Sequence, residues 1–240
     1  MKHTLAAAFL LGATVLSLTA QAAQFTITPV RIFMAPRDRA VAVTVSNDSD
    51  EQVVMQADLY SWKQKADGSD DLELTEDLVL TPPILKLAPR SRQVVRLALL
   101  TPRPAGVQQT YRLIVREVPE ARPAGQLQLQ LALAFSLPVF ITPPGARREL
   151  QCVVERSAAD RAQARCGNSG TAYAQIRSLE LIDEKGLRLA GRDTVGYVLP
   201  GITRSFELVR GDGRIPGGKV KLQAALDDGT LQAFDVTLPE

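Results

Sequence analysis

Few side chains in this sequence could carry acid–base or nucleophilic chemistry. The single histidine, His3, lies in the opening MKHTLAAAFLLGATVLSLTAQAAQF. That segment has the marks of a removable export signal: a positive Lys2, an apolar stretch from Leu5 to Leu18, and an A-x-A site at Ala20 and Ala22. Cleavage is expected after Ala22, which leaves a mature chain without the commonest general base. No G-x-S-x-G, H-E-x-x-H or P-loop pattern is present. Acids cluster as Asp67, Asp70 and Asp71, and again as Asp227 and Asp228. Each group sits beside a glycine between strand signals, so both read as solvated hairpin turns. DGSDD lacks the ligand spacing and terminal Glu of an EF-hand loop. No enzyme activity, cofactor or metal is expected.

Three residues remain. Cys152 and Cys166 are the only cysteines. In an oxidising compartment they are expected to form one disulfide closing a short loop, the other reading being two buried free thiols. Zinc would need further ligands that are absent nearby. Arg31 falls in TPVRIFM, flanked by Val30, Ile32 and Phe33, where a strand should be half buried. Arginine is rarely buried unless paired. It is an edge residue, or a partner in a local salt bridge, or a fixed cation for a carboxylate, which its planar fork can bind bidentately.

Strands must position these residues. FTITPVRIF, AVAVTVSN, VVMQADLYSW, RQVVRLALL and TYRLIVREV alternate or are rich in β-branched residues. Turn clusters separate them: NDSDEQ, KADGSDD, TPPILKLAPRS, TPRPAG and PEARPAG. No helical period stands out, and SAADRAQARC reads as a loop. ITPPGARR, with two prolines and a glycine, stops any ladder. A second, shorter set of strands follows from Glu149. The fold class is therefore all-β: two β-sandwich domains in tandem, residues 23–143 and 144–240, after a signal at 1–22. The net charge of +2 over 240 residues, spread without basic blocks, argues against nucleic acid as a partner. No segment after the signal is apolar enough to insert in a membrane.

One segment needs its own account. QLQLQLALAFSLPVF (126–140) places Leu127, Leu129, Leu131, Leu133 and Phe135 on one face of a strand. The row is longer than an ordinary strand of about five or six residues. Either it fills the protein's own core, or it is held for another chain.

The ordered set of segments resembles the periplasmic chaperones of chaperone–usher pilus systems. PVRIFM resembles that family's first strand with its arginine, and AVTVSND the second strand with its SN ending. LTPPILKLAPRSRQVVRL is similar to the proline turn, loop and following strand. YRLIVREVP and QLQLQLALAFSLPVFITP resemble the last two strands of the first domain, and CGNSGTAYAQIRSLEL a strand pair of the second. The short loop from Pro119 to Gly125, with YRL and SLPVF, looks like the archaic class of the family.

This resemblance implies that the two sandwiches are immunoglobulin-like domains arranged in a boomerang, and a periplasmic location. It also implies capture of pilin subunits by donor-strand complementation, with delivery to an outer-membrane usher. Leu127, Leu129, Leu131, Leu133 and Phe135 would be the donors. At roughly 1.5–3 kcal/mol each, they would offer on the order of 10 kcal/mol before ordering costs. Arg31 would anchor the subunit's terminal carboxylate. The family's second anchor, a lysine, is replaced here by Pro138, so Arg112 or Arg116 is expected to substitute. Glu117 matches the glutamate of the family's interdomain ion pair, whereas Thr142 stands where an arginine is common. An uncovered donor strand would be a hazard, so the free protein is expected to cap itself, by self-association or a loop. The rival reading is an exported structural or adhesive protein with its leucines in its own core.

Overall fold

The computed structural model describes residues 25–65, 67–100, 106–119 and 132–239. Ten strands precede residue 142 among them. They are β1 (Phe25–Thr28), β2 (Ile32–Met34), β3 (Ala40–Asn47), β4 (Val53–Gln64), β5 (Asp70–Leu74), β6 (Leu78–Thr81), β7 (Ile84–Leu87), β8 (Arg92–Leu99), β9 (Gln109–Glu117) and β10 (Ala134–Ile141). One sheet has the order β1-β3-β8-β6; the other runs β2-β10-β9-β4-β5, with β7 also on β4. Their inner faces bury Val43, Val45, Val95 and Leu97 against Met55, Leu85, Leu113 and Val139.

The first strand region differs from its sequence reading. FTITPVRIF is not one strand but two, in different sheets. β1 pairs antiparallel with β3, and β2 pairs in parallel with β10. Pro29 brings no N–H to a ladder, so it is where the chain can leave one sheet for the other. The segments read as turns, KADGSDD and TPPILKLAPRS, also hold strands: β5 and β7 each pair with β4.

After Ile141 the next strand begins at Leu150, and no ladder crosses between the two sets among the described residues. The second set comprises β11 (Leu150–Arg156), β12 (Arg161–Asn168), β13 (Ala174–Ile182), β14 (Arg188–Val198), β15 (Thr203–Val209), β16 (Gly218–Leu226) and β17 (Leu231–Leu238). Their order is β11-β12-β15-β14-β13-β16-β17. β14 and β15 meet at a single pair, Gly191 and Val209. The two halves so joined enclose a second core of Ile176, Leu179, Leu181, Phe206, Leu208 and Leu222. RAQARC, read as loop, is part of strand β12, and the turn is only Ser157–Asp160. Cys152 and Cys166 lie directly opposite in the β11–β12 ladder and form the expected disulfide.

Each domain stitches a strand end with a buried asparagine. Asn47 ends β3, and its amide donates to the carbonyls of Glu51, Leu87 and Ala88. Asn168 ends β12 and donates to those of Ala172 and Val198. Both are almost fully buried, yet their polar atoms are used, which is what makes the position tolerable.

Candidate functional site

Ile32 and Met34 point into the N-terminal core, so alternation turns Arg31 and Phe33 to the outer face of the β2–β10–β9–β4 sheet. The C-terminal domain covers one end of that face. Arg31 Nη1 donates to Asp227 Oδ2 at 2.7 Å and to Gln175 Oε1 at 2.8 Å. Gln175 lies on β13, and Asp227 sits in the β16–β17 turn, its N–H bonded to the Gln175 carbonyl at 3.1 Å. The Tyr173 hydroxyl also donates to Asp227 Oδ2, at 3.3 Å. Burial works against the Arg31 charge. The Asp227 hydrogen bond, with the charges of Tyr173, Tyr197 and Asp227, outweighs it and pushes the guanidinium above its ordinary value.

Arg112 projects from β9 on the same face, opposite Pro138 on one side and Tyr60 on the other. Its guanidinium carbon lies 3.7 Å from the centroid of the Trp62 ring and 5.6 Å from that of Tyr197. Asp70 is 3.4 Å away. Burial pushes Arg112 below its ordinary value, with Asp70 and Tyr197 pulling back. Its buried Nε meets no acceptor. In the register, Ile32 faces Val139 and Arg112 faces Pro138, so Arg31 and Arg112 flank the same residue of β10 from opposite sides. At about 4.8 Å between neighbouring strands, their backbones are roughly 10 Å apart. Arg116 lies four residues further along β9, about 13 Å away by strand rise. It is held by Asp58 at 2.8 Å and by the Tyr60 hydroxyl at 3.0 Å. The structure thus brings Arg31 and Arg112 together at the edge of the second domain and leaves Arg116 outside.

Glu117 stands elsewhere. It ends β9 at the pole away from the second domain, and its carboxylate accepts the Leu133 N–H at 3.4 Å. Other residues join the domains. Trp62, Phe140 and Leu199 are buried together, with Tyr173, Tyr197 and Ile202 against them. Phe140 stacks on Tyr173 at 4.2 Å and on Phe33 at 5.6 Å. Gln64 donates to the Tyr197 carbonyl and accepts the Leu199 N–H. Gln108 binds Thr142 Oγ1 at 2.7 Å and accepts the Tyr173 N–H at 2.9 Å. Thr142, in place of a charged partner, is therefore used through its hydroxyl. Sequence reasoning missed Asp227, Gln64, Gln108 and the aromatic set. Asp227 was visible but looked like any turn acid.

Of the five expected donors, Leu127, Leu129 and Leu131 lie outside the described residues. Leu133, just before β10, is exposed. Phe135 differs from expectation: it is half-buried and packs on the protein's own core. Leu137, Val139 and Ile141, of the same parity, follow it inside. Among the described residues, no group of three or more His, Cys, Asp or Glu could hold a metal ion, and no helix is long and apolar enough to cross a membrane.

Comparison with solved structures finds the same fold. The chaperone–tip adhesion subunit pre-assembly complex CsuC–CsuE, from archaic chaperone–usher Csu pili of Acinetobacter baumannii, matches with a TM-score of 0.67 at 21% identity. The match covers 91% of this chain and 100% of that one. The Pseudomonas aeruginosa CupB2 chaperone matches at 0.57 and 20%, covering 89% and 100%. The Salmonella enterica SafA pilin–SafB chaperone complex matches at 0.59 and 16%, covering 91% and 98%. A search of curated proteins finds no match. Residues 24–147, which hold both sheets of the first sandwich, Arg31 and the leucine row, match the family model of the PapD N-terminal domain. The chain belongs to the pili and flagellar-assembly chaperones.

Proposed function

We propose that the protein captures pilin subunits in the periplasm by lending them the strand before β10, and hands them to an outer-membrane usher. The observation that carries this reading is the course of one side-chain row. Phe135, Leu137, Val139 and Ile141 belong to the N-terminal core, whereas Leu133, next in the same parity, is exposed. Among the described residues the row leaves the protein's own core at Leu133. Leu127, Leu129 and Leu131 continue it in sequence. A subunit lacking a strand would gain main-chain hydrogen bonds from such a segment, and its pockets would fix the register. Phe135 is then where the row passes from the protein's own core to the client's.

Arg31 is the carboxylate anchor in this reading, and Arg112 the second cation in place of the lysine that Pro138 displaces. Arg112 is held over the Trp62 ring, its guanidinium carbon 3.7 Å from the centroid. The domains divide near residue 143, and the signal is removed after Ala22. Complexes of matching proteins with a tip adhesion subunit and with a pilin are in keeping with this client class. The archaic class is the branch we assign.

The test is co-expression with a candidate subunit in the periplasm, measuring the subunit that survives. Loss of a charge-assisted contact is worth about 1.5–3 kcal/mol, so Arg31→Ala should lower capture about tenfold or more. Leu131→Asp should abolish it. Equal survival with both variants would refute the reading.

A further inference from the structure

The cation assigned to the client already holds a carboxylate of its own. Of the two acids in the β16–β17 turn, Asp228 faces away, to Arg148 at 2.6 Å, with its Oδ1 accepting the Thr230 N–H. Asp227 faces Arg31 and is the more enclosed, its side chain 13% exposed against 47% for Asp228. Four contacts fix it there: its own N–H on the Gln175 carbonyl, its carbonyl accepting from Arg177 Nη2, the Tyr173 hydroxyl, and Arg31. Arg31 Nη1 donates both to Asp227 and to Gln175, and among the described residues Asp227 is the carboxylate paired with Arg31. The Arg31 side chain remains one-third exposed.

We infer that Asp227 is a built-in stand-in for the client's terminal carboxylate, so that loading is an exchange of one carboxylate for another on Arg31. This rests on the anchor role proposed above. Two carboxylates crowding one guanidinium repel, so Asp227 must yield some of its contact when another arrives. A free carboxylate offers only its charge and gains little from the trade. A client carboxylate arrives with a strand and its apolar side chains, whose burial offsets the lost internal pair. Asp227 thereby makes Arg31 selective for carboxylates that end a complementing strand. It also keeps the cation oriented and neutralised while the site is empty.

The experiment uses acetate as the probe and the Arg31 Nε–Hε NMR signal as the readout, on the full mature chain. With Asp227→Asn, the acetate dissociation constant should fall about three- to tenfold relative to the unsubstituted protein. Asp227→Ser, which removes the carboxylate without introducing an amide, should show the same change, and thermal unfolding checks that both variants fold. An unchanged or weaker affinity in both folded variants would overturn the inference while leaving Arg31 as an anchor. Arg31→Ala separates the two ideas, with acetate followed through the Gln175 side-chain signal. Persistence of that acetate response would sink the anchor reading and this inference with it.

Discussion

Burial opposes the Arg112 charge, and an aromatic ring accommodates it. Stacking on Trp62 offers about 0.5–2 kcal/mol, more where water is excluded, and its plane suits a guanidinium better than an ammonium. The neighbouring Tyr173 gives the clearest pH dependence. Burial, aided by the Asp227 charge and opposed by Arg31, pushes its hydroxyl up to about 12. The unfolded value is about 10. A raised pKa in the fold means that the stabilisation is complete below pH 10 and is lost as pH rises through 12. The hydroxyl is only half-buried, so the loss is discounted for solvent screening to on the order of 1 kcal/mol. Denaturant unfolding at pH 9 and pH 11.5 should show the unsubstituted protein losing about that much more stability than Tyr173→Phe. Equal losses would show that the hydroxyl does not couple to folding. Arg31 could be singled out in the sequence because an arginine amid Val, Ile and Phe is anomalous. Asp227 could not, because LDDGT has the composition of a plain turn and its partner lies 196 residues away.

The β1–β2 break, the β10 row and the Gly170 turn show what strands inherit from local chemistry. Gly170 follows Asn168 and Ser169 in the connection after β12. A Cβ there would run into the Arg147 carbonyl oxygen and the Glu149 nitrogen. Both are backbone, so no rotamer change can relieve the contact. The same Arg147 carbonyl accepts the N–H groups of Thr171 and Ala172, which tie this turn to the start of β11. Gly170→Ala should therefore cost about 1–3 kcal/mol, read as a lower Tm of the disulfide-bonded protein. An unchanged Tm would mean that the turn shifts freely. The alternating strands β3, β4, β8 and β9 were legible because one buried face imposes a period of two. Edge strand β5 was not: DDLEL is exposed along its whole length, so nothing in its polarity separates it from the turn it leaves. β7 hid behind prolines that stop just short of it. β1 and β2 merged because apolar alternation carries no sign of which sheet each half joins.

Across the whole molecule, the two sandwiches share a small core of their own. Trp62 and Phe140 from the first domain meet Tyr173, Tyr197 and Leu199 from the second, and buried Gln64 and Gln108 satisfy backbone groups across the seam. The seam sets Arg31 and Arg112 beside Tyr197. Two domains were foreseeable from ITPPGARR. How they meet was not, because Gln64 and Gln108 lie far from Tyr173 and Leu199 in the chain. The central claim concerns the other pole, where the apolar row leaves its own sandwich. Hydrogen exchange of the amides at 126–133 tests it directly, in the free chain at a dilution where it sediments as a monomer and in a purified complex with a subunit. Rapid exchange when free and strong protection in the complex is the expected result. The same exchange in both states, with the complex intact, would contradict the account.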